Sequence, residues 1–97
     1  MPRDHEARKR RRKERQLANI RLVRAYFSAF PCMDCGEGDP DLLEFDHTKG
    51  KKTANVSDLV MQAYSWERIF AEIAQCVTVC VSCHRKRTIR RRREWAK

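Results

Sequence analysis

The sequence has no long apolar run, and this absence narrows the classes of protein to which it can belong. Its apolar stretches are far shorter than the roughly 20 residues that a helix needs to cross a bilayer. Residues 1–15 are charged and lack the apolar segment that a secretory signal needs. We therefore expect a cytoplasmic protein with no membrane-spanning segment.

The chain is also short. Its 97 residues allow one domain. Because a domain of this size buries little apolar surface, we expect disulfides or a bound metal ion to stabilise it further. The five cysteines are the candidates for such a cross-link. In a reducing compartment, closely spaced cysteines more often hold a metal ion than form disulfides.

Acidic residues are outnumbered, with 13 Asp and Glu against 22 Lys and Arg and a formal net charge of +9. Seven of the cations lie in residues 8–15 and seven in residues 85–93, on either side of an acidic stretch over residues 34–46. Such dense clusters repel themselves unless a polyanion neutralises them. Neither cluster has the broad apolar face of a membrane-surface helix. Nucleic acid is therefore the expected partner, and a membrane is not.

Hydrophobic periodicity predicts a small α+β fold. The expected elements are helices over residues 4–29, 66–75 and 81–95 and short strands over residues 42–47 and 77–79. Pro31 ends the first helix, because proline cannot continue one. We divide the chain into a basic N-terminal helix, residues 1–31, and a metal-stapled domain, residues 32–97, which closes with a basic helix.

Two C-x-x-C pairs, Cys32 with Cys35 and Cys80 with Cys83, are separated by 44 residues. A tetrahedral zinc ion needs four ligands, and a two-residue spacing lets one tight turn present two sulfurs. A single pair could be a redox motif, but two matched pairs in a small basic chain favour a structural zinc ion. The fifth cysteine, Cys76, is expected to be a buried apolar residue.

Asp46, His47 and His84 contain the parts that phosphodiester hydrolysis needs. An imidazole can act as a general base near neutral pH. A carboxylate and a second imidazole can hold one divalent ion, such as Mg²⁺ or Mn²⁺. Basic side chains can hold the phosphate. The predicted nucleic-acid-binding residues are Lys51, Lys52, Arg85, Arg87, Arg90, Arg91, Arg10, Arg11 and Arg12.

Three segments together resemble the zinc-bearing branch of the HNH endonuclease family, which is common among phages and bacteria. They are C-x-x-C-G at residues 32–36, Leu-Glu-Phe-Asp-His at residues 43–47, and Val-Cys-Val-Ser-Cys-His-Arg-Lys-Arg-Thr at residues 79–88. The resemblance implies a ββα-metal (His-Me finger) core, in which two strands and a helix hold one catalytic ion and a separate zinc site holds the frame. It leaves the N-terminal helix outside the family pattern.

Residue by residue, the resemblance implies that Asp46 is a ligand of the catalytic ion, His84 its second ligand and His47 the general base. The family's middle Asn usually lies just before the second strand, where this chain has Gln75. An amide side chain could supply the same donor and acceptor from there. Asn55 is the lesser alternative for this role, since we expect it to cap a helix.

The resulting hypothesis is a metal-dependent DNA endonuclease in the cytoplasm of a bacterium or of a phage-infected host. By resemblance alone, phage packaging (terminase) proteins are possible partners. Two alternatives stay open. One is a non-catalytic zinc-ribbon protein that binds nucleic acid, and the other is a small structural component of a nucleoprotein assembly. The first explains the charge and the four cysteines but leaves Asp46, His47 and His84 without a purpose, and the second would be supported by co-purifying RNA and by stoichiometric association with other proteins.

Overall fold

A computed structural model describes residues 2–96 of the chain. In order, its helices and strands are α1 (Pro2–Ala29), β1 (Leu43–His47), α2 (Val56–Met61), α3 (Trp66–Ile73), β2 (Cys76–Cys80) and α4 (Val81–Ala96), with a 3-10 turn at Pro40–Leu42 before β1. The two strands form an antiparallel sheet. The predicted small α+β fold is therefore confirmed at this level.

The sheet joins two distant parts of the chain in a defined register. Leu43 lies opposite Cys80, and His47 lies opposite Cys76. The β-branched run over residues 77–79 fits the pleated surface of a strand. The second strand is one residue longer at each end than predicted, because all five residues of β1 find a partner. This register places the end of β1 beside the start of β2, and the cysteine at the end of β2 beside the start of β1.

The helix boundaries follow local signals. The first helix ends at Ala29, as predicted, because Pro31 follows. In α3 the Ser65 side chain accepts a hydrogen bond from the Arg68 backbone N–H at 3.3 Å, which is the N-cap expected of serine. This helix ends at Ile73 rather than residue 75, because the chain must turn there to enter β2.

The buried side chains form two clusters. One contains Phe27, Cys32, Leu43, Val79, Cys80 and Cys83; the other contains Val56, Leu59, Val60, Ile69, Ile73 and Cys76. Val23, Tyr26 and Phe45 pack against both clusters and join them. The Phe45 ring also stacks on Phe27, with ring centroids 4.7 Å apart. The C-terminal half of α1 is thus part of the core, where each fully buried side chain contributes about 1.5–3 kcal/mol.

One turn of α1 is fixed to the α2–α3 loop by side-chain donors. The buried Asn19 donates from Nδ2 to the Tyr64 carbonyl at 3.0 Å, and Arg15 donates to the Ala63 carbonyl at 3.4 Å. Gln16 donates to the Met61 carbonyl in the same turn. These bonds set the direction in which the N-terminal half of α1 projects. The described residues extend over 58 Å in their longest dimension.

Candidate metal centre and active site

The four paired cysteines meet at one point. Their sulfur atoms all lie within 4.8 Å of one another, and Sγ of Cys35 is 3.7 Å from Sγ of Cys80. Four sulfurs at about 2.3 Å from a tetrahedral ion would be about 3.8 Å apart, so the donor set fits zinc. The cysteine cluster (Cys32, Cys35, Cys80 and Cys83) can therefore hold a structural metal ion such as zinc, as the spacing predicted.

Local structure explains how the cluster forms. Cys32 and Cys35 lie in a turn after α1, which closes when the Gly36 N–H donates to the Cys32 carbonyl at 2.9 Å. Gly36 has φ +85°, a left-handed conformation that glycine adopts without strain. The Met33 N–H donates to the Thr78 carbonyl at 2.9 Å, which ties this turn to β2.

The thiols of the cluster have unequal acidities. Burial opposes ionisation of Cys32, but backbone N–H groups of the cluster outweigh it and lower the pKa of this thiol to about 6. Its hydrogen bond to Cys80 and its burial raise the pKa of Cys83 to about 12. One thiolate therefore forms readily, while full ionisation needs a compensating cation. A bound metal ion supplies that charge.

Asp46 is a buried carboxylate held by two arginines of α4. It is 3% exposed. Arg91 contacts both of its oxygens, with Nη1 2.9 Å from Oδ1 and Nη2 2.7 Å from Oδ2. Arg87 donates from Nη1 to Oδ2 at 3.1 Å and makes two further bonds of 2.7 Å to Asp34 in the cysteine turn. The hydrogen bond from Arg91 is the main reason why the pKa of Asp46 is lowered.

His84 lies between two carboxylates of β1. Its Nδ1 is 2.8 Å from Oε1 of Glu44, and its Nε2 is 3.6 Å from Oδ1 of Asp46. Glu44 was not among the predicted site residues. The strand pattern could have identified it, because residues two apart on a strand share a face. Asp46 and His84, which are far apart in the sequence but adjacent here, will be called the Asp46–His84 pair.

His47 contacts a buried carboxylate on α3 that the sequence did not reveal as a site residue. Its Nε2 is 2.8 Å from Oε2 of Glu72, which is 2% exposed. Glu72 also accepts hydrogen bonds from the Thr53 backbone and hydroxyl and from Arg68. Because successive strand residues point to opposite faces, Asp46 meets α4 while His47 meets α3. No spacing rule in the sequence connects Glu72 to His47.

A single cleft is lined by residues that point to the two opposite faces of β1. It has a volume of about 770 Å³, and Asp46, His47 and His84 all line it. Residues of α1 line it as well, including Ile20 and Val23. The helix that lies outside the family resemblance therefore helps to shape the candidate active site.

Gln75 lies against the loop that follows His47. Its carbonyl accepts hydrogen bonds from the backbone N–H groups of Thr48 at 3.0 Å and Lys49 at 3.1 Å. Gly50 has φ +60°, and a Cβ at this position would collide with Oε1 of Gln75. The backbone of Gln75 therefore holds the loop. The role of its side-chain amide as a substitute for the family's Asn stays a prediction, and Asn55 lies at the N-cap of α2.

The predicted nucleic-acid-binding residues fall into two groups. Arg87 and Arg91 are paired with acidic side chains. The others are exposed, namely Lys51, Lys52, Arg85, Arg90, Arg10, Arg11 and Arg12. Lys52 also lines the cleft.

No protein-family model, curated protein or solved structure matches this chain. Among the described residues, no helix is both long and apolar enough to cross a bilayer.

Proposed function

We propose that this protein is a metal-dependent DNA endonuclease of the HNH type, stapled by zinc at its cysteine cluster. One observation carries the proposal: His84 is distant in sequence from the neighbours Asp46 and His47, yet all three line one cleft, and Nε2 of His84 is 3.6 Å from Oδ1 of Asp46. The resemblance of residues 32–88 to the HNH family assigns these same three residues to the reaction.

The Asp46–His84 pair suits one divalent ion. Two ligands about 2.1 Å from an ion can be no more than about 4.2 Å apart, and a carboxylate with an imidazole is a donor set for borderline or hard metals. When bound, the ion supplies stabilisation of the negative charge that develops on the scissile phosphate. Arg91 also bonds both oxygens of Asp46, so an ion at this pair competes with its guanidinium.

The other steps of the reaction are carried out by side chains of the protein. His47 is the general base that takes a proton from the attacking water. Exposed cations, such as Lys52 at the cleft and Arg85 beside His84 in the sequence, hold the phosphate backbone through charge-assisted bonds. These contacts carry no base information, so we expect cleavage with little sequence preference. Any specificity would then come from partners, of which terminase proteins are candidates by resemblance alone.

The basic ends support DNA as the substrate. The N-terminal half of α1 is exposed and carries seven cations over residues 8–15, while the bonds at Arg15, Gln16 and Asn19 fix its direction. The basic half of α4 is also exposed and adjoins Arg91 at the cleft. A duplex lying on the cleft would thus meet positive charge from both helices.

The test is cleavage of supercoiled plasmid by the wild type and by His47→Ala, with Mg²⁺ or Mn²⁺ titrated into zinc-loaded protein. Loss of the general base should slow cleavage at least about 100-fold. Zinc content and DNA affinity should not change. His5→Ala is the matched control, because His5 is an exposed histidine in the first turn of α1 and does not line the cleft. If His47→Ala cleaves as fast as the wild type, the proposed mechanism is wrong.

A second candidate function is a non-catalytic zinc-stapled protein that binds nucleic acid. The observation that favours it is the pairing of the buried charges within the site: Asp46 is neutralised by Arg87 and Arg91, and His47 is bonded to Glu72. Such a network is stable without a second ion. The same plasmid assay separates the two functions, because a binder would shift the plasmid in a gel without nicking it at any metal concentration.

A further inference from the structure

The contact between His47 and Glu72 joins a candidate general base to a carboxylate that is almost fully buried. Nε2 of His47 is 2.8 Å from Oε2 of Glu72, and the two side chains are 16% and 2% exposed. A buried carboxylate is costly unless its charge is matched by donors. Because Glu72 is costly to bury, packing alone does not explain why it lies against His47.

Other donors surround Glu72. The Thr53 hydroxyl and Nη1 of Arg68 donate to Oε1, and the Thr53 backbone N–H donates to Oε2 at 3.3 Å. Nη2 of Arg68 also donates to the Thr53 hydroxyl oxygen at 2.9 Å, which orients that hydroxyl toward Glu72. These bonds hold Glu72 as a carboxylate, and the hydrogen bond from Thr53 is the main reason why its pKa falls to about 2.

An ionised carboxylate only accepts hydrogen bonds, so the imidazole nitrogen facing it must donate. In a neutral imidazole one nitrogen donates and the other accepts. We infer that Glu72 is a positioning residue that holds His47 as the Nε2–H tautomer and leaves Nδ1 as the nitrogen that accepts a proton. Among residues 2–96, Nδ1 of His47 has no hydrogen-bond partner.

The catalytic role of Nδ1 rests on the proposed function, but the tautomer does not. In the hydrolysis, the Nδ1 lone pair takes one proton from water as the water oxygen forms a bond to phosphorus. The bond from phosphorus to the leaving sugar oxygen breaks, and that oxygen takes a proton from solvent. The imidazolium formed lies against the Glu72 carboxylate, which stabilises it, and it then returns its proton to solvent.

The test is the tautomer of His47, read from long-range ¹H–¹⁵N correlation spectra of labelled, zinc-loaded protein at a pH where the imidazole is neutral. We expect a protonated Nε2 and an unprotonated Nδ1 in the wild type. This measurement needs no variant and no nuclease activity. A protonated Nδ1 in the wild type would overturn the inference.

Glu72→Gln makes the test sharper. The donors of Thr53 and Arg68 should hold the carboxamide oxygen on their side, which turns the NH₂ group toward His47. Because the NH₂ group donates a hydrogen bond, Nε2 should become the acceptor and the imidazole should switch to the Nδ1–H tautomer. Nδ1 could then no longer accept a proton from water. We expect kcat to fall by about 10²- to 10⁴-fold with little change in KM. An unchanged tautomer in this variant would contradict the inference.

Two controls separate positioning from folding. Glu67→Gln removes an exposed carboxylate of the same helix and should leave both the tautomer and kcat unchanged. Thr53→Val removes one donor to Glu72 and should weaken the network while the Nε2–H tautomer persists. If the tautomer switches as expected but no variant or wild type cuts DNA, the proposed function fails and the positioning by Glu72 stands. If cleavage depends on His47 but the wild type carries Nδ1–H, only the positioning by Glu72 fails.

Discussion

At the scale of single residues, the site is defined by how buried charges are matched. Asp46 and Glu72 are the two carboxylates among the buried polar residues that the structure describes, and each is bonded to at least one arginine. A buried carboxylate with such partners is ionised, and its desolvation is offset only while the partners are present. Loss of one of these partners should therefore destabilise the fold and also disturb the site.

Glu72 should make stability depend on pH in the acid range. Its pKa falls from the usual 4.5 to about 2, first because of the Thr53 hydrogen bond. Since folding depresses this pKa, the stabilising contribution is complete above about pH 4.5 and is lost as the pH falls toward 2. It corresponds to roughly 3 kcal/mol.

Urea unfolding of the wild type and of Glu72→Gln between pH 3 and pH 6 measures this contribution. The difference in unfolding free energy between the two proteins should be largest at pH 6 and should narrow below about pH 4.5. Loss of zinc in acid affects both proteins and cancels in the difference. A difference that does not change over this range would contradict the assignment.

At the scale of elements, Arg87 connects three parts of the chain. From α4 it reaches Asp34 in the cysteine turn through two bonds of 2.7 Å and Asp46 in β1 through one of 3.1 Å. Only the planar fork of a guanidinium can make bonds in these directions at once. The cysteine cluster and the candidate active site are thus connected through one side chain.

Replacing Arg87 with lysine should therefore destabilise the protein even though the charge is kept. An ammonium cannot serve both carboxylates with the same geometry, so we expect a decrease of about 1–3 kcal/mol in unfolding free energy. Arg85→Lys is the matched control, because Arg85 is exposed on the same helix. Equal unfolding midpoints for the two variants would show that the Arg87 bonds contribute nothing.

At the scale of the whole molecule, the cysteine cluster brings together two segments that are distant in the sequence. Cys32 and Cys35 follow α1, whereas Cys80 and Cys83 lie at the junction of β2 and α4. A metal ion at the cluster joins the turn after α1 to the end of β2 and to the start of α4, the helix that carries His84, Arg87 and Arg91. Metal binding in so small a domain contributes directly to folding.

Removing one cluster ligand should disrupt the tertiary structure, because the apolar core is small. We expect Cys35→Ser to bind less zinc and to lose near-UV circular dichroism and thermal cooperativity. Cys76→Ser should keep its zinc, because Cys76 is buried against α3 and lies outside the cluster. Full zinc content and an unchanged melting temperature in Cys35→Ser would argue against a structural ion.

If the protein binds DNA as proposed, the position of its basic residues predicts which of them contact phosphate. The exposed cations of α1 lie beyond its docked turn, so they should bind phosphate without affecting the core. The triple change of Arg10, Arg11 and Arg12 to Gln should reduce the slope of log affinity against log salt by about 0.9 for each phosphate that the variant no longer neutralises. Arg21→Gln is the control in the docked half of the helix. An unchanged slope would exclude this end of α1 from the interface.

The local part of this structure was determined by the sequence alone. Pro31 and Ser65 set helix ends, the β-branched run over residues 77–79 indicated a strand, and the two C-x-x-C pairs predicted the cysteine cluster. Each of these depends on residues a few positions apart, whose preferences act through backbone sterics or a shared ion.

Only the tertiary structure decided which side chains meet. The pairing of His47 with Glu72, the clamp of Arg87 and Arg91 on Asp46, and the cleft wall supplied by α1 all join residues far apart in the chain. Pattern does not encode such pairings, because they depend on how helices pack across a sheet and on where a buried charge finds donors. The packing around Asp46 and Glu72 fixes the positions of the side chains in the candidate site.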